Sequence, residues 1–338
     1  MKEPWFWRDD TRAADLVGAA LAPLAALYDA GQRLRAAQTK AARADVPVLC
    51  VGNAALGGVG KTPFALLLAD LLSPAVDGEV FFLTRGHGGA EPGPSLLRAG
   101  HGRDAAAVGD EALLLAARRP PVVARDRPAG AALAAREGAR AIVMDDGYQN
   151  PTLEKDVNVL LWAASDAADA RTFPAGPLRE PARRAAARAD AVVVVGPPDA
   201  GHEAFEPPLA LAAAGEPTFR ARLEPVGDVD PAPVVAFCGL GRPQRFFDLL
   251  RSQGFDVRGA IAFPDHHPYT DAELGRLAAL AERREAALIT TEKDHARLTA
   301  AIAARTRVLR VEMRVDDPDG LMRAVTARLN ARRPGWRG

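Results

Sequence analysis

Short apolar runs alternate along the chain with longer segments whose apolar positions recur at helical spacing. Residues 46–51, 79–84, 121–124, 141–144, 157–162 and 191–196 are near-continuous apolar stretches bounded by Gly, Pro or charge. That is the pattern of strands covered on both faces. Segments 63–72, 110–118 and 129–137 lie between them and read as helices. The alternation predicts a doubly wound α/β fold, a parallel sheet with helices on both faces.

Residues 197–230 are rich in Pro, Gly and Ala, with little periodicity before 218–223, and read as a connection containing one or two extended strands. Alternation then resumes, with strands at 234–238, 256–262, 287–291 and 307–312 and helices at 243–253, 271–284 and 318–331. The expected organisation is an N-terminal apolar helical segment (1–44), a larger α/β core (45–205), a connecting segment (206–232) and a second, smaller α/β unit (233–338).

The N-terminal segment opens with Pro4-Trp5-Phe6-Trp7 among acidic residues, which is not the basic start of a signal peptide. Residues 14–28 are largely apolar, broken by Asp15 and Pro23, and fall short of the roughly 20 residues that span a bilayer. Two placements suit the run. One packs it on the protein's own core. The other lays it in a membrane interface, with Trp5, Phe6 and Trp7 at headgroup depth and Arg33, Arg35, Lys40 and Arg43 beside it.

The strongest chemical signal is Ala55-Leu56-Gly57-Gly58-Val59-Gly60-Lys61-Thr62, which follows one predicted strand and opens a predicted helix. Glycines there let successive backbone N–H groups turn inward around a β-phosphate. Lys61 is placed to bridge β- and γ-phosphates, and Thr62 to offer its hydroxyl to Mg²⁺. The leading glycine of such loops is Ala55 here. A P-loop needs an acidic partner for the metal at the end of a neighbouring strand, and Asp145-Asp146 after the apolar run 141–144 supplies it. Guanine readers separate Lys from Asp by one residue, whereas Glu292-Lys293-Asp294 has no spacer, so ATP is the expected nucleotide. Gly239-Leu240-Gly241 lacks the third glycine of a dinucleotide fingerprint and reads as a tight turn between strand and helix.

Composition narrows the class further. The 338 residues carry 43 basic and 43 acidic side chains, without the basic excess of a nucleic-acid binder. The two cysteines, Cys50 and Cys238, sit in apolar runs, which fits a reducing compartment rather than a disulfide framework. No feature of the sequence points to a protein partner.

Further motifs occur in order around the loop: Val51-Gly52-Asn53, Thr84-Arg85-Gly86-His87-Gly88-Gly89, Val108-Gly109-Asp110-Glu111, Ala124-Arg125-Asp126-Arg127 and Asp145-Asp146-Gly147-Tyr148-Gln149. They continue with Pro174-Ala175-Gly176-Pro177-Leu178-Arg179-Glu180-Pro181, Phe263-Pro264-Asp265-His266-His267 and Thr291-Glu292-Lys293-Asp294. The set resembles the tetraacyldisaccharide 4′-kinase family of lipid A biosynthesis. That resemblance implies ATP-dependent phosphorylation of the 4′-hydroxyl of a glycolipid, tetraacyldisaccharide 1-phosphate, by a protein in peripheral contact with the cytoplasmic face of the bacterial inner membrane. Asp110 matches the family's base and His266 the histidine that pairs with it. As an alternative, Asp110 would simply cap a helix. Arg179 is expected to bind phosphate, and Glu180 to contact substrate or Mg²⁺. Arg85 and His87 are expected to line the sugar or phosphate pocket, and Gln149 to position phosphate or metal-bound water. His87 replaces a usual tyrosine and Asn150 a common histidine.

Overall fold

The apolar runs of the first half become neighbouring parallel strands: β1 (Val48–Asn53), β2 (Glu79–Thr84), β4 (Pro121–Val123), β5 (Ala139–Asp145), β6 (Val157–Ala163) and β7 (Ala191–Gly196), with a short edge strand β3 (Ser95–Leu96). In this computed structural model every residue is described except 1–3, 8, 10, 99, 101, 168–169, 198–204, 208, 214, 228–229 and 337–338. Part of the predicted connection before the next strand, including 198–204, therefore lies outside the described residues, and its described part holds a short helix, Leu209–Ala212. Beyond it come β8 (Thr218–Val226), β9 (Pro233–Cys238), β10 (Asp256–Ala262), β11 (Ala287–Thr291) and β12 (Thr306–Val315).

All twelve strands form one sheet in the order β10-β9-β11-β12-β8-β7-β6-β1-β5-β2-β4-β3. Pairing is parallel except for β12 with β8 and β3 with β4. β12 is the hinge between the halves: Thr306–Leu309 pair with β11, and Arg310–Val315 pair with β8. The lack of polar alternation has a direct cause. Val48 and Cys50 of β1 enter one core with Phe81 and Trp162, while Leu49 and Val51 enter the opposite one with Phe64 and Leu68. β1 lies between β5 and β6, and Val51 is in register with Asp145, so both strands end at the same edge. Ligands of open α/β sheets bind at such an edge.

The terminal helix Pro318–Arg332 departs from the expected grouping with the smaller unit. Leu321, Val325 and Leu329 form one helical stripe and bury themselves in the core that also holds Phe64 and Leu68. Arg332 Nη2 pairs with Asp190 Oδ1 at 2.9 Å, and Arg333 Nε with Asp156 Oδ1 at 2.8 Å, pinning the helix to the base of the larger half.

The N-terminal helix, Arg12–Gln38, is longer than the apolar run suggested because Thr11 caps it, accepting from Ala14 N at 3.3 Å, and Pro23 is accommodated within it. Only the small residues Ala14, Gly18 and Ala25 are buried. At about 100° per residue, Leu16, Leu27 and Leu34 fall within about 20° of one another on the side opposite those three. They are 72%, 70% and 59% exposed. Packing on the protein therefore uses a narrow stripe, and the larger apolar face is open. By length and composition this helix would suffice to cross a membrane, and its exposed apolar face fits membrane association.

Candidate active site

The phosphate loop leaves β1 and turns through Gly57 (φ +103°) and Gly60 (φ +93°), left-handed positions that favour glycine, into helix Lys61–Leu72. A second loop straps it in place. Leu56 N donates to Pro177 O at 2.7 Å, and Arg179 N donates to Ala54 O at 2.6 Å. Thr62 Oγ1 donates to Asp145 Oδ2 at 2.8 Å, while Asp145 Oδ1 is buried without a hydrogen-bond partner. Burial, reinforced by the Glu111 charge, pushes the Asp145 carboxyl up to about 7. Lys61 Nζ lies 3.3 Å from Asn53 Oδ1 and 3.7 Å from Asp146 Oδ1.

Asp146 (φ +51°) is a non-glycine residue in the left-handed region, a conformation that concentrates at functional sites. The turn aims its carboxylate at Arg179, whose Nη1 donates at 2.9 Å. Gln149 ties this corner together, donating to Asn53 O at 2.9 Å and to Glu180 Oε1 at 3.0 Å. Glu180 is 1% exposed and also accepts from Arg184 and Arg188, at 2.7–3.0 Å. Both of its oxygens are thus engaged within the strap.

Where the two halves of the sheet meet, Asp110 from the first faces His266, Lys293 and Arg297 from the second. Asp110, 2% exposed at the start of helix Asp110–Ala116, accepts from Glu111 N at 3.0 Å and lies 3.2 Å from His266 Nδ1. The helix-cap position itself is Gly109, so the carboxylate is directed across the cleft. His266, also left-handed (φ +57°), has Nε2 3.1 Å from Lys293 Nζ. An ammonium only donates, so Nε2 accepts and the Nδ1 proton is the one offered to Asp110. Burial and the Lys293 charge both lower the His266 pKa, keeping the ring neutral. Arg297 completes the clasp, donating through Nη2 to Asp110 Oδ2 and through Nη1 to Asp294 Oδ1, the latter at 3.2 Å. Asp294 is itself fully buried and held by Gly239 N and Tyr269 Oη at 2.9 and 2.8 Å. His267 turns away to Glu273, at 3.0 Å.

His87 sits beside this pair, its ring centroid 4.7 Å from that of His266, and its pKa is lowered chiefly by burial. Arg85, on the same glycine-rich loop, is exposed. Sequence reasoning singled out neither Asn53 nor Glu111 as a site residue, nor Lys293 and Arg297. Arg297 carried one legible signal, its position three residues after Asp294 on a helical turn.

The phosphate loop, with Lys61 and Thr62 opening its helix and Asp145 beside them, defines a P-loop nucleotide-binding protein. Residues 17–330 match the family model described as tetraacyldisaccharide-1-P 4′-kinase. Proteins named tetraacyldisaccharide 4′-kinase are similar to it throughout. That of Methylobacterium nodulans is 47% identical, over 99% of this chain and 98% of its own. That of Paramagnetospirillum magneticum is 44% identical, over 94% and 96%. A crystal structure of LpxK from Aquifex aeolicus in complex with ATP aligns with a TM-score of 0.72 at 27% identity, covering 93% of this chain and 99% of that one. The chain belongs to the tetraacyldisaccharide 4′-kinase family.

Proposed function

We propose that this protein transfers the γ-phosphoryl group of ATP to the 4′-hydroxyl of tetraacyldisaccharide 1-phosphate, giving the 1,4′-bisphosphate of lipid A biosynthesis. The observation that carries the reading is the contact of Asp110 with His266, made where the two halves of the sheet meet, in a chain that also carries the phosphate loop. A hydrolase would need only a positioned water. A buried carboxylate braced by a neutral imidazole and an arginine suits deprotonation of an acceptor hydroxyl.

In this reading the loop amides of residues 57–62 and Lys61 hold the β- and γ-phosphates. Among the described residues no group of three His, Cys, Asp or Glu forms a ready metal cage. A P-loop metal takes most of its ligands from the nucleotide and water, so two protein groups suffice. Asp145 Oδ1, buried without a hydrogen-bond partner beside the Thr62 hydroxyl, fits that need, so Thr62 and Asp145 would hold Mg²⁺, with Asp146 behind them. When bound, Mg²⁺ neutralises charge developing on the phosphate oxygens. Arg179, held by Asp146, contacts a substrate phosphate, and His87 and Arg85 border the sugar.

The working division is a P-loop core of 45–205 and a smaller unit from 233, joined by 206–232. The terminal helix packs on the core, and the cleft lies between the units. The exposed leucine face of helix Arg12–Gln38 lies on the cytoplasmic face of the inner membrane, which brings the acyl chains to the site. Purified protein incubated with γ-labelled ATP, Mg²⁺ and the disaccharide 1-phosphate in detergent tests the proposal. Label should appear in the lipid. Label released only as phosphate, or GTP preferred over ATP, would reject it.

A further inference from the structure

The tight turn Gly239-Leu240-Gly241 delivers a cation to the phosphate loop that the site described above does not use. Arg242 follows the turn and immediately precedes helix Pro243–Ser252, which belongs to the second half of the sheet. Its Nη2 donates to Asp166 Oδ1 at 2.7 Å, beyond the end of β6. The side chain is only 12% exposed, and both Nε and Nη1 are buried without a hydrogen-bond partner.

What those nitrogens face is the first half of the P-loop. A Cβ built on Gly57 would lie 3.3 Å from Arg242 Nε, and one built on Gly241 would lie 3.6 Å from the Gly57 Cα. One turn further on, Arg245 Nη1 donates to Gly58 O at 3.3 Å. Helix Pro243–Ser252 is thus seated on the loop through Gly57 and Gly58. Buried N–H donors of a guanidinium are costly unless an acceptor arrives. The loop they overlie is built to receive phosphate oxygens, and a guanidinium matches those oxygens in geometry as well as charge.

We propose that Arg242 is a catalytic residue, a cis-acting arginine that donates to the oxygens of the transferring γ-phosphoryl group. The inference rests on the kinase reading above. In the step it serves, the acceptor oxygen forms a bond to the γ-phosphorus. The bond from that phosphorus to the β,γ-bridging oxygen breaks, and its electron pair leaves with ADP. The acceptor proton passes to the Asp110 carboxylate. Arg242 exchanges no atoms; it stabilises charge as the phosphoryl group moves. Anchorage by Asp166 fixes its reach, and its origin in the second unit makes it available when that unit is seated on the loop.

The test compares wild type with Arg242→Ala and Arg242→Lys in γ-labelled ATP transfer to the disaccharide 1-phosphate. Affinities for Mg²⁺-ATP and for Mg²⁺-ADP-aluminium fluoride, a mimic of the transferring group, are measured on the same preparations. Arg242→Ala should lower kcat by ~10²-fold or more and weaken the aluminium fluoride complex to a similar degree, with the KM and affinity for ATP within about threefold of wild type. Arg242→Lys, which keeps the charge without the fork, should recover only part, and it carries the same comparison if the alanine variant does not fold. Wild-type kcat in Arg242→Ala, or equal loss of affinity for ATP and for the mimic, would reduce Arg242 to a clasp on Asp166 and overturn the proposal. Absence of transfer by wild type would instead overturn the kinase reading, and this inference with it.

Discussion

Arg179 grips Asp146 with both terminal nitrogens, Nη1 to Oδ1 at 2.9 Å and Nη2 to Oδ2 at 3.4 Å, while Lys61 approaches the same Oδ1 at 3.7 Å. Two cations suited to nucleotide phosphates are thus held on one carboxylate. Desolvation acts to raise the Asp146 pKa, but Lys61 and Arg179 outweigh it and hold the group well below the usual carboxylate range. Asp146 therefore stays ionised and holds both cations.

If Arg179 works through that fork, charge alone will not replace it. Arg179→Lys should cost about tenfold or more in kcat, because an ammonium cannot meet both carboxylate oxygens at once. Steady-state kinetics with varied ATP and varied lipid acceptor separate the effects. A wild-type kcat in the lysine variant would show that the two-pronged geometry is incidental.

The second prediction concerns Asp110 where it meets His266 and Arg297. Asp110→Asn preserves shape and removes the proton acceptor, so transfer should fall by ~10²–10⁴-fold with nucleotide affinity retained. Arg297→Ala should cost less in rate than the Asp110 substitution. It should also lower stability, since it strands the buried carboxylates of both Asp110 and Asp294. Labelled transfer paired with thermal unfolding measures both, and an Asp110→Asn variant with ordinary turnover would leave the carboxylate a structural part.

Much of this was legible before any coordinates. The P-loop, the Asp145-Asp146 step and the strands of the first half are local patterns, each fixed by residues adjacent in the chain. Other features depend on contacts between distant segments, which periodicity does not encode. Arg297 reaches Asp110 across 187 positions, and Arg242 reaches Asp166 across 76. Nothing local shows that Arg184 and Arg188 fold back onto Glu180. The terminal helix reads as a continuation of the second α/β unit by order alone. Its stripe of Leu321, Val325 and Leu329 could have packed on either half, and the pairs of Arg332 and Arg333 with Asp190 and Asp156 accompany the choice.

A third prediction follows from the histidine. His266 faces Asp110, Asp265, Lys293, Glu111 and His87, and its pKa is lowered chiefly by burial and then by Lys293. A lowered value means the folded protein resists protonation there. The associated stability is therefore present above the unfolded-state pKa of about 6.5 and is lost as pH falls below it toward the folded value. Protonation also destroys the acceptor that Nε2 offers to Lys293. The acid limb of kcat/KM should lie below the ordinary histidine value, and His266→Gln should reduce activity and remove that limb. Profiles measured from pH 5 to 8 check this, and an unchanged limb in the variant would assign it to another group.

The exposed face of the N-terminal helix makes the fourth. Leu16, Leu27 and Leu34 are open to solvent, so Leu→Ser at all three should alter folding stability little, by about 0.5 kcal/mol or less for each. At a membrane each leucine would contribute roughly 1.5–3 kcal/mol through apolar burial, so the triple variant should lose at least ~10²-fold in vesicle affinity. Sedimentation with phospholipid vesicles reads the difference directly. Equal partitioning of variant and wild type would assign that face to a contact other than lipid.

The terminal helix supplies the last. Leu329 is fully buried in the core that also holds Phe64 and Leu68 of the helix following the P-loop. Leu329→Ala should therefore destabilise that core by about 2–5 kcal/mol, the range for a leucine cavity. The loss should surface as faster hydrogen exchange in β1 and in helix Lys61–Leu72. Leu274→Ala, placed in the core beneath β9 and β11, should instead loosen the smaller unit first. The two variants thus ask whether the halves share stability through the β8–β12 ribbon. Site-selective exchange in each would show two cooperative units, with the terminal helix belonging to the one that carries the phosphate loop. Identical patterns would show a single unit spanning the whole sheet.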